Sequence, residues 1–490
     1  MPQSQEIELK FLCAPDDLGR VLAAAPEGVD DCRELISVYF DTPDLALQRA
    51  GASLRVRETQ GQRVQTLKRG AGLKREEHEA PIASDAPDPN IGPLKELLPE
   101  GARAELKPAF HVRVTRRQRL VRYGGAEIEL ALDQGEVRGG KRVSPISEVE
   151  LELKSGGPDA LFGLARELNR IAPLYLSFAS KSQRGQALVA GCPLHAHKRA
   201  KVALRHDASV AEVFQAVARN TLESIAVNAE VLRHLRDPEA LHQLRVAART
   251  LRSALSTFKA AVADEATAGV KDELRWLGRA CDAARNLDVF MAETLTPARQ
   301  EPSPPPGLEA LASAVEAARA KAAAEVAHAV ASPRFRDLLI ICTGWVDTGA
   351  WLASPRAAEP ARAFASKVLA KRLRRLLKDG RRLMKATDEQ RHAVRIDVKK
   401  LRYAAEGFAG LFGARSSRRF IERLKVLQDE LGALNDLATA ETLMTSLDLP
   451  PDAAFAAGEL VGRKGADKAK RLHRACEALK PLSAHPPFWA

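Results

Sequence analysis

The sequence lacks the features of membrane-spanning and disulfide-rich proteins. Its longest apolar stretches, such as residues 338–342, are far too short to cross a bilayer, and no apolar leader precedes the charged segment that begins at Glu6. The six cysteines are scattered without a CxxC pair, which argues against a zinc site or a disulfide framework. We therefore expect a cytoplasmic protein with no membrane partner.

Aromatic residues are also scarce, at 5% of the chain. Proteins that hold single-stranded nucleic acid use aromatic side chains as stacking platforms, so a nucleic-acid partner is disfavoured. Binding to duplexes without base readout stays open as an alternative. Positive charge is abundant instead: residues 201–490 hold 46 Lys and Arg against 35 Asp and Glu, whereas residues 1–200 hold 29 against 28. A focused positive region attracts polyanions.

Charged and apolar residues alternate in the first half of the chain. The segment EIELKF starts at Glu6, and EVELELK starts at Glu148. Because alternate side chains of a strand share one face, each segment predicts a strand with one charged and one apolar face. Further charged pairs of this kind occur at Arg55/Arg57, Arg75/Glu77/Glu79 and Glu127/Glu129. Carboxylates bind hard cations and basic side chains bind phosphate, so these strands predict a metal-assisted phosphate site; a solvated sheet face is the alternative.

Two structural classes follow each other along the chain. Residues 1 to about 190 have the pattern of strands with short helices, and long Ala/Leu/Arg-rich helices begin after about residue 207. We predict an α+β protein with domains at residues 1–196 and 200–490. A proline-rich segment at residues 301–307 interrupts the helical part and divides it into two repeats, about 205–300 and 308–485.

The two helical repeats share a basic motif. Residues 242–252 match residues 392–402, with basic side chains at the same four offsets. These positions lie within an arc of about 80° on a helix, and the opposite face is apolar in both copies. A solvated helix face is the alternative, but a duplicated basic face favours an anionic partner. The basic residues predicted to bind it are His242, Arg245, Arg249, Arg252, Lys367, Lys371, Arg374, Arg375, Lys378, His392, Arg395, Lys399, Lys400 and Arg402.

The ordered motifs of the first half resemble the CYTH proteins, which are triphosphate tunnel metalloenzymes. After Glu6-x-Glu8-x-Lys10 they continue as YFDTP at residues 39–43, LRVR at 54–57, TLK at 66–68, the strand with Arg75, Glu77 and Glu79, EVELE at 148–152 and SKSQRG at 180–185. The second half resembles a CHAD domain, a duplicated helical bundle rich in histidine and basic residues. In this order the two halves resemble bacterial inorganic triphosphatases with an appended CHAD module.

The resemblance implies an eight-stranded antiparallel β tunnel with its apolar face outward under helices. It implies hydrolysis of a triphosphate with Mg²⁺ or Mn²⁺, and a CHAD module that binds inorganic polyphosphate. The implied catalytic residues are Glu6, Glu8 and Lys10. The implied metal ligands are Glu6, Glu8, Glu148, Glu150, Glu152 and Asp133. The implied substrate-binding residues are Lys10, Arg55, Arg57, Lys68, Arg75, Arg116, Lys181 and Arg184, where Arg116 is chosen by register among the arginines of residues 113–119.

Tripolyphosphate, cleaved to pyrophosphate and phosphate, is the leading substrate. Thiamine triphosphate stays open, as does the cyclisation of ATP that some tunnel relatives perform. A second hypothesis is a non-catalytic scaffold that CHAD directs to polyphosphate granules, and a third is nucleic-acid binding by the basic half. The complete set of Glu6, Glu8 and Lys10 with Glu148 and Glu150 favours the enzyme.

Overall fold

The computed structural model describes residues 4–70, 74–90, 92–191 and 194–489, without the side chains of residues 4–6, 74, 75 and 435. The strands of this described part are β1 (Ser4–Leu12), β2 (Asp30–Asp41), β3 (Ala52–Thr59), β4 (Gln62–Arg69), β5 (Lys74–Ile82), β6 (Lys107–Tyr123), β7 (Ala126–Gly139), β8 (Arg142–Ser155) and β9 (Tyr175–Leu176). They precede the helical half, so the predicted α+β class is confirmed.

The strands form one antiparallel sheet in the order β5-β4-β3-β2-β6-β7-β8-β1-β9. Residues of β1 also pair with β5, in the register Glu6 opposite Arg75 and Ile7 opposite Lys74. Strands β1 to β8 therefore follow one another in a ring of paired neighbours. The two-residue strand β9 pairs with the end of β1 and was not predicted.

Helices accompany the sheet in the first half of the chain. They are α1 (Leu18–Ala24), α2 (Ala46–Arg49), α3 (Leu94–Leu97), α4 (Glu100–Ala104), α5 (Pro158–Ile171) and α6 (Lys181–Ala190). The apolar face of the strands lies under them: Phe11 and Leu151 are fully buried, and Leu54 packs with Leu47 of α2 and Leu94 of α3. The alternation of charged and apolar residues thus separates an outer hydrophobic layer from an inner charged face.

One end of the inner face is apolar, which the sequence did not predict. Val112 and Val114 share a strand face with Arg116, yet they form a hydrophobic cluster with Leu188 of α6. A Cβ atom at Gly185 would lie 2.2 Å from the ring of Phe110, so glycine is what allows α6 to come this close. The charged residues are therefore confined to the remaining part of the inner face.

The helices of the second half are longer. They are α7 (Val210–His234), α8 (Pro238–Thr257), α9 (Lys259–Val262), α10 (Ala266–Ala280), α11 (Asp282–Phe290), α12 (Thr296–Ala298), α13 (Leu308–Ala331), α14 (Pro333–Thr348), α15 (Ala361–Gly380), α16 (Asp388–Phe408), α17 (Ala414–Ser446), α18 (Pro451–Ala466) and α19 (Lys468–Ala484). Among the described residues, no helix combines the length and apolarity that a bilayer crossing requires.

The duplicated basic motif occupies equivalent helices, α8 and α16. The side chain of Asp237 caps the start of α8, and a capping box of Thr387 and Gln390 opens α16. The apolar face is buried in both, as shown by Leu244 on α8 and Leu401 on α16, and the two helices contact each other. The basic faces are therefore presented by two helices of one packed bundle.

The chain divides into two compact units that do not follow the strand–helix boundary. The first contains the residues up to 197 together with Ala226–Val231 and Ala331–Gly344. The second contains Lys198–Ile225, Leu232–Val330 and Trp345–Ala490. A short piece of α7 and most of α14 thus belong to the same unit as the sheet.

Candidate active site

Three carboxylates lie together on the inner face of strands β7 and β8. Asp133 stands opposite Glu148 in the β7–β8 register, and Glu150 lies two residues further along β8. Asp133 and Glu148 are fully buried, and Glu150 is nearly so. Buried carboxylates are costly unless cations pair with them, so this cluster requires basic partners.

Lys181, the first residue of α6, supplies the central positive charge. Its Nζ atom lies 2.8 Å from Asp133 Oδ2, 2.9 Å from Glu148 Oε2 and 2.7 Å from Glu150 Oε1. Burial alone would lower the pKa of Lys181, but the three carboxylates outweigh burial and hold that pKa well above its usual value. The capping box of Ser180 and Gln183 fixes the start of α6 and with it the position of this ammonium group.

Lys10 and Arg116 approach the same carboxylates from other strands. Lys10 Nζ lies 2.7 Å from Glu150 Oε1 and 3.5 Å from Glu8 Oε1. Arg116 donates two hydrogen bonds of 2.7 Å to Asp133 and also contacts Glu150. Burial raises the pKa of Glu150, but Lys10, Lys181 and Arg116 together hold it well below the usual value.

The register question about the arginines of β6 has a structural answer. Arg116 is directed to the buried carboxylates, whereas Arg113 pairs with the exposed Glu34 and Arg119 pairs with Asp30. Successive residues of a strand face opposite ways, so Arg116 faces the other side of the sheet from Arg113 and Arg119.

A second set of basic side chains lies on the inner face of β3 and β4. Arg55 Nη2 lies 3.6 Å from Glu77 Oε1, and Lys68 Nζ lies 3.0 Å from the other oxygen of that carboxylate. Burial lowers the pKa of Arg57 to about 9, and the charges of Arg55 and Arg116 contribute to the shift. Arg57 thus lies near the positive charges of Arg55 and Arg116, which is an electrostatic environment suited to an anion.

Tyr39 belongs to this group, although it was not among the predicted site residues. It is buried, and its ring stacks on Phe110 with centroids 4.7 Å apart. Burial raises the pKa of its hydroxyl, but Arg55 and Arg57 overcome that effect and lower the pKa below its usual value. The YFDTP motif was the signal that could have identified it, since Tyr39 alternates with Phe40 and so faces inward.

The remaining predicted residues differ in how far the structure describes them. The side chains of Glu6 and Arg75 lie outside the described residues. Glu152 stands opposite Glu8 in the β1–β8 register, and its carboxylate pairs with Lys154 at 2.7 Å. Arg184 Nε lies 3.2 Å from Glu148 Oε1.

The basic residues of α8 and α16 converge in the second unit. Burial lowers the pKa of Lys399 to about 7, and the nearby charges of Arg395 and Arg249 contribute. Arg249 is on α8 and Lys399 on α16, so the two copies of the motif place positive charge beside each other. Arg285 of α11 lies outside the repeated motif, yet it also acts on His242. Burial lowers the pKa of His242 most, and the positive charge of Arg285 lowers it further.

The other predicted cations of the helical half form a separate group. The predicted residues of α15 are all exposed: Lys367, Lys371, Arg374, Arg375 and Lys378. Arg375 pairs with Asp397 of α16 at 2.8 Å, and Lys400 lies 4.0 Å from the same carboxylate. Lys400 therefore faces α15, whereas Lys399 faces Arg249 of α8.

Two domain families match the chain in succession. Residues 4–185 match the CYTH domain, and residues 216–445 match the CHAD domain. The solved CHAD domain of the plant Ricinus communis is 32% identical, with a TM-score of 0.53; the match covers 60% of this chain and 98% of that one. This chain is a CYTH–CHAD protein.

A curated relative matches part of the CYTH–CHAD chain. An inorganic triphosphatase of Haemophilus influenzae is 34% identical over 194 residues, which is 38% of this chain and 55% of the relative. The chain thus spans about half the length of that protein.

The CYTH domain offers oxygen ligands of the type that hard divalent cations prefer. Glu8 and Glu152 face each other across β1 and β8, and Glu148 and Glu150 follow on the same strand face. Among the described side chains, however, no group of three or more acidic, histidine or cysteine residues is arranged as a metal cage. These carboxylate oxygens are suitable ligands for a divalent metal. In this structure Glu148 and Glu150 form ion pairs with Lys10 and Lys181.

Proposed function

We propose that the CYTH domain is a metal-dependent hydrolase that cleaves tripolyphosphate to pyrophosphate and phosphate. The observation that carries the proposal is the close mixture of buried cations and carboxylates on one inner face of the sheet. Arg57 in particular is buried beside Arg55 and Arg116, and burial together with these two charges lowers its pKa to about 9. The inorganic triphosphatase relative supports the same reaction class.

In this proposal the basic side chains bind the phosphates and orient them. Arg and Lys are the usual phosphate ligands, and several along one inner face match a linear chain of phosphates. The residues assigned to this role are Lys10, Arg55, Arg57, Lys68, Arg75, Arg116, Lys181 and Arg184. Phosphoryl transfer depends mainly on such positioning and on charge stabilisation, so the site needs no serine or cysteine nucleophile.

The carboxylates have two proposed tasks. Glu6, Glu8, Glu148 and Glu150 would hold Mg²⁺ or Mn²⁺, with Glu152 and Asp133 as further oxygen donors. When bound, such a metal supplies charge neutralisation for the phosphates and acidifies the attacking water. The same carboxylates offset the basic residues, as Glu150 does for Lys10 at 2.7 Å, and so keep the product from being trapped. Lys10 lies among these groups and would contact the reacting phosphate.

Phosphate release from a substrate panel tests this proposal. Full-length protein should hydrolyse tripolyphosphate faster than thiamine triphosphate or ATP when Mg²⁺ or Mn²⁺ is present. Faster cleavage of thiamine triphosphate would change the substrate assignment, and cyclic AMP from ATP would change the reaction type. No turnover of any triphosphate, with binding retained, would favour the scaffold hypothesis instead.

We further propose that the CHAD domain binds inorganic polyphosphate through α8 and α16. Polyphosphate carries a regular row of negative charges and no bases, so it calls for cations without aromatic platforms. The convergence of Arg249, Arg395 and Lys399, with the pKa of Lys399 lowered to about 7, supports an anionic ligand because that ligand would relieve the repulsion. The stripe on α15 and Lys400 remain proposed contacts of a longer polyphosphate chain.

Competition binding tests the CHAD proposal. Full-length protein should bind long-chain polyphosphate more tightly than duplex DNA at matched salt. Each cation that neutralises a phosphate releases counterions, so affinity should fall steeply as salt rises. A preference for duplex DNA would replace the polyphosphate assignment with nucleic-acid binding.

A further inference from the structure

One predicted phosphate ligand has a partner from outside the CYTH match. Arg184 Nε lies 3.2 Å from Glu148 Oε1, and Arg184 Nη2 lies 3.7 Å from Glu230 Oε1. Glu230 is on α7, within the CHAD match, but the segment Ala226–Val231 belongs to the first compact unit. The guanidinium group is therefore placed between a carboxylate of the inner face and a carboxylate of a distant part of the sequence.

The segment that carries Glu230 is itself anchored in the first unit. Asn228 is fully buried, and its side chain exchanges two hydrogen bonds of 2.9 Å with the backbone of His197. Two bonds from one amide fix both the position and the rotation of this turn of α7. Glu230, half a turn further on, consequently reaches Arg184 from a fixed backbone.

The contact geometry leaves one nitrogen of Arg184, Nη1, for a ligand. A guanidinium group is planar and carries five N–H donors in a fixed fork. Nε and Nη2 form one edge of that fork, and Glu148 and Glu230 face this edge. Both atoms are buried without a hydrogen bond of ordinary geometry, so ionic attraction to the two carboxylates orients the group. Nη1 is not part of this edge, so its N–H groups are the donors available to a phosphate.

We infer that Glu230 is a positioning residue for Arg184 in the triphosphate site. The inference rests on the proposed triphosphatase function and assigns to the CHAD-matched sequence a residue that the CYTH site needs. Without Glu230, Arg184 is attracted to Glu148 alone, and its Nη1 group is no longer held in one orientation. Tripolyphosphate should then bind more weakly, with a larger effect on KM than on kcat.

A double-mutant cycle on full-length protein tests the inference. Calorimetry would measure the Kd for tripolyphosphate, in buffer with chelator, for wild type, Glu230→Ala, Arg184→Ala and the double variant. Each single variant should weaken binding by roughly tenfold, within the coupling range of contacting residues. The double variant should bind no more weakly than Arg184→Ala, because Glu230 acts only through Arg184.

Two further variants serve as controls. Glu230→Gln keeps the shape but not the charge, and it should behave like Glu230→Ala, since the 3.7 Å contact is ionic. Glu212→Ala removes a carboxylate from the same helix, where the partner is Arg205 at 2.7 Å, and it should leave the Kd unchanged.

Three results separate the failure of the inference from that of the proposed function. Additive losses in the double variant, or tighter binding by Glu230→Ala, would overturn the positioning role. Wild-type binding of tripolyphosphate without hydrolysis under Mg²⁺ would overturn the proposed function alone. No binding by wild type would overturn both.

Discussion

Lys181 Nζ lies 2.7 Å from Glu150 Oε1, and this contact joins the start of α6 to the inner face of β8. Both side chains are almost fully buried. Each charge therefore depends on the other and on Asp133 and Glu148 beside them. This cluster is the electrostatic centre of the CYTH domain.

Replacing Lys181 should destabilise the protein and inactivate it. Lys181→Met leaves three buried carboxylates without their shared cation, and breaking a buried ion pair in this way costs about 3–5 kcal/mol of unfolding free energy. Urea unfolding and phosphate release would measure the two effects. Lys154→Met is the matched control, because its pair with Glu152 is partly exposed and should contribute less than about 1 kcal/mol. A Lys181 variant as stable as this control would contradict the account.

The same cluster predicts an acid-sensitive stability. Burial raises the pKa of Glu148 and Glu150, but the surrounding cations more than compensate and hold both pKa values below the usual range. Because the folded pKa is below the unfolded one, this stabilisation is present above about pH 4.5 and is lost as pH falls through the folded values.

Thermal unfolding between pH 3 and 7 would measure that loss. Wild type should lose stability steeply on acidification below about pH 4.5. Lys181→Met should show a shallower decline, since its carboxylates are less strongly favoured in the charged form. Parallel curves for the two proteins would contradict the cluster as the source of acid sensitivity.

Glu8→Gln should separate catalysis from folding. Glu8 is near the edge of the cluster, 3.5 Å from Lys10, and it is a proposed metal ligand. We expect a loss of roughly 100-fold in kcat at saturating Mg²⁺, the size seen when a key electrostatic group is removed, with little change in unfolding free energy. Glu136→Gln, which alters an exposed pair with Arg138 on β7, should keep wild-type turnover. Equal kcat in the two variants would refute the metal role of Glu8.

Polyphosphate affinity should increase as pH falls from about 8 to 6. Burial lowers the pKa of Lys399 to about 7, with Arg395, Arg249 and Arg402 opposing its charge and Asp436 favouring it. Lys399 is therefore largely neutral at pH 8 and charged at pH 6. Burial and neighbouring arginines also lower the pKa of His242. This side chain therefore gains its positive charge only toward the acid end of the pH range.

Lys399→Met should flatten this pH dependence. Titration calorimetry with long-chain polyphosphate at constant salt would measure it, with Lys425→Met as the control. Lys425 is a lysine of α17 that pairs with Glu422 at 2.7 Å and should leave the pH profile unchanged. An identical pH profile for wild type and Lys399→Met would exclude Lys399 as the responsive group.

Arg336 should stabilise the first unit, although it lies in the helical half of the sequence. Its Nε donates to Asn169 Oδ1 at 2.9 Å, and Asn169 Nδ2 donates to Asp337 at 2.8 Å. Arg336→Ala removes the charged donor from Asn169 Oδ1, which keeps the bond from Leu174 N, and a hydrogen bond to a charged group contributes about 2 kcal/mol. Denaturant unfolding would measure this loss of stability. Arg334→Ala, a substitution at a nearby exposed position, is the control. Equal stabilities would show that the contact contributes little.

The sequence was informative about strands because their two-residue period is visible locally. Glu148 and Glu150 alternate with Val149 and Leu151, and that pattern alone separates the charged inner face from the apolar outer one. The choice of Arg116 by register followed the same rule, and the structure places this side chain at Asp133.

Other features depend on contacts between distant residues and leave no local pattern. Val112 alternates like any strand residue, and only its packing with Leu188 of α6 shows that one end of the inner face is apolar. Glu230 has the sequence context of a surface helix, and nothing near it indicates Arg184. The predicted domain of residues 1–196 likewise lacks the segments of α7 and α14 that the first unit includes.

Phosphorus NMR of the reaction products decides whether the protein is a metal-dependent triphosphatase. Full-length protein is mixed with tripolyphosphate and Mg²⁺, and the products are compared with those of a sample that contains chelator. We expect pyrophosphate and phosphate in equal amounts with Mg²⁺ and intact tripolyphosphate with chelator. Tripolyphosphate that stays intact with Mg²⁺ or Mn²⁺, or is cleaved equally fast in chelator, would overturn the proposed function.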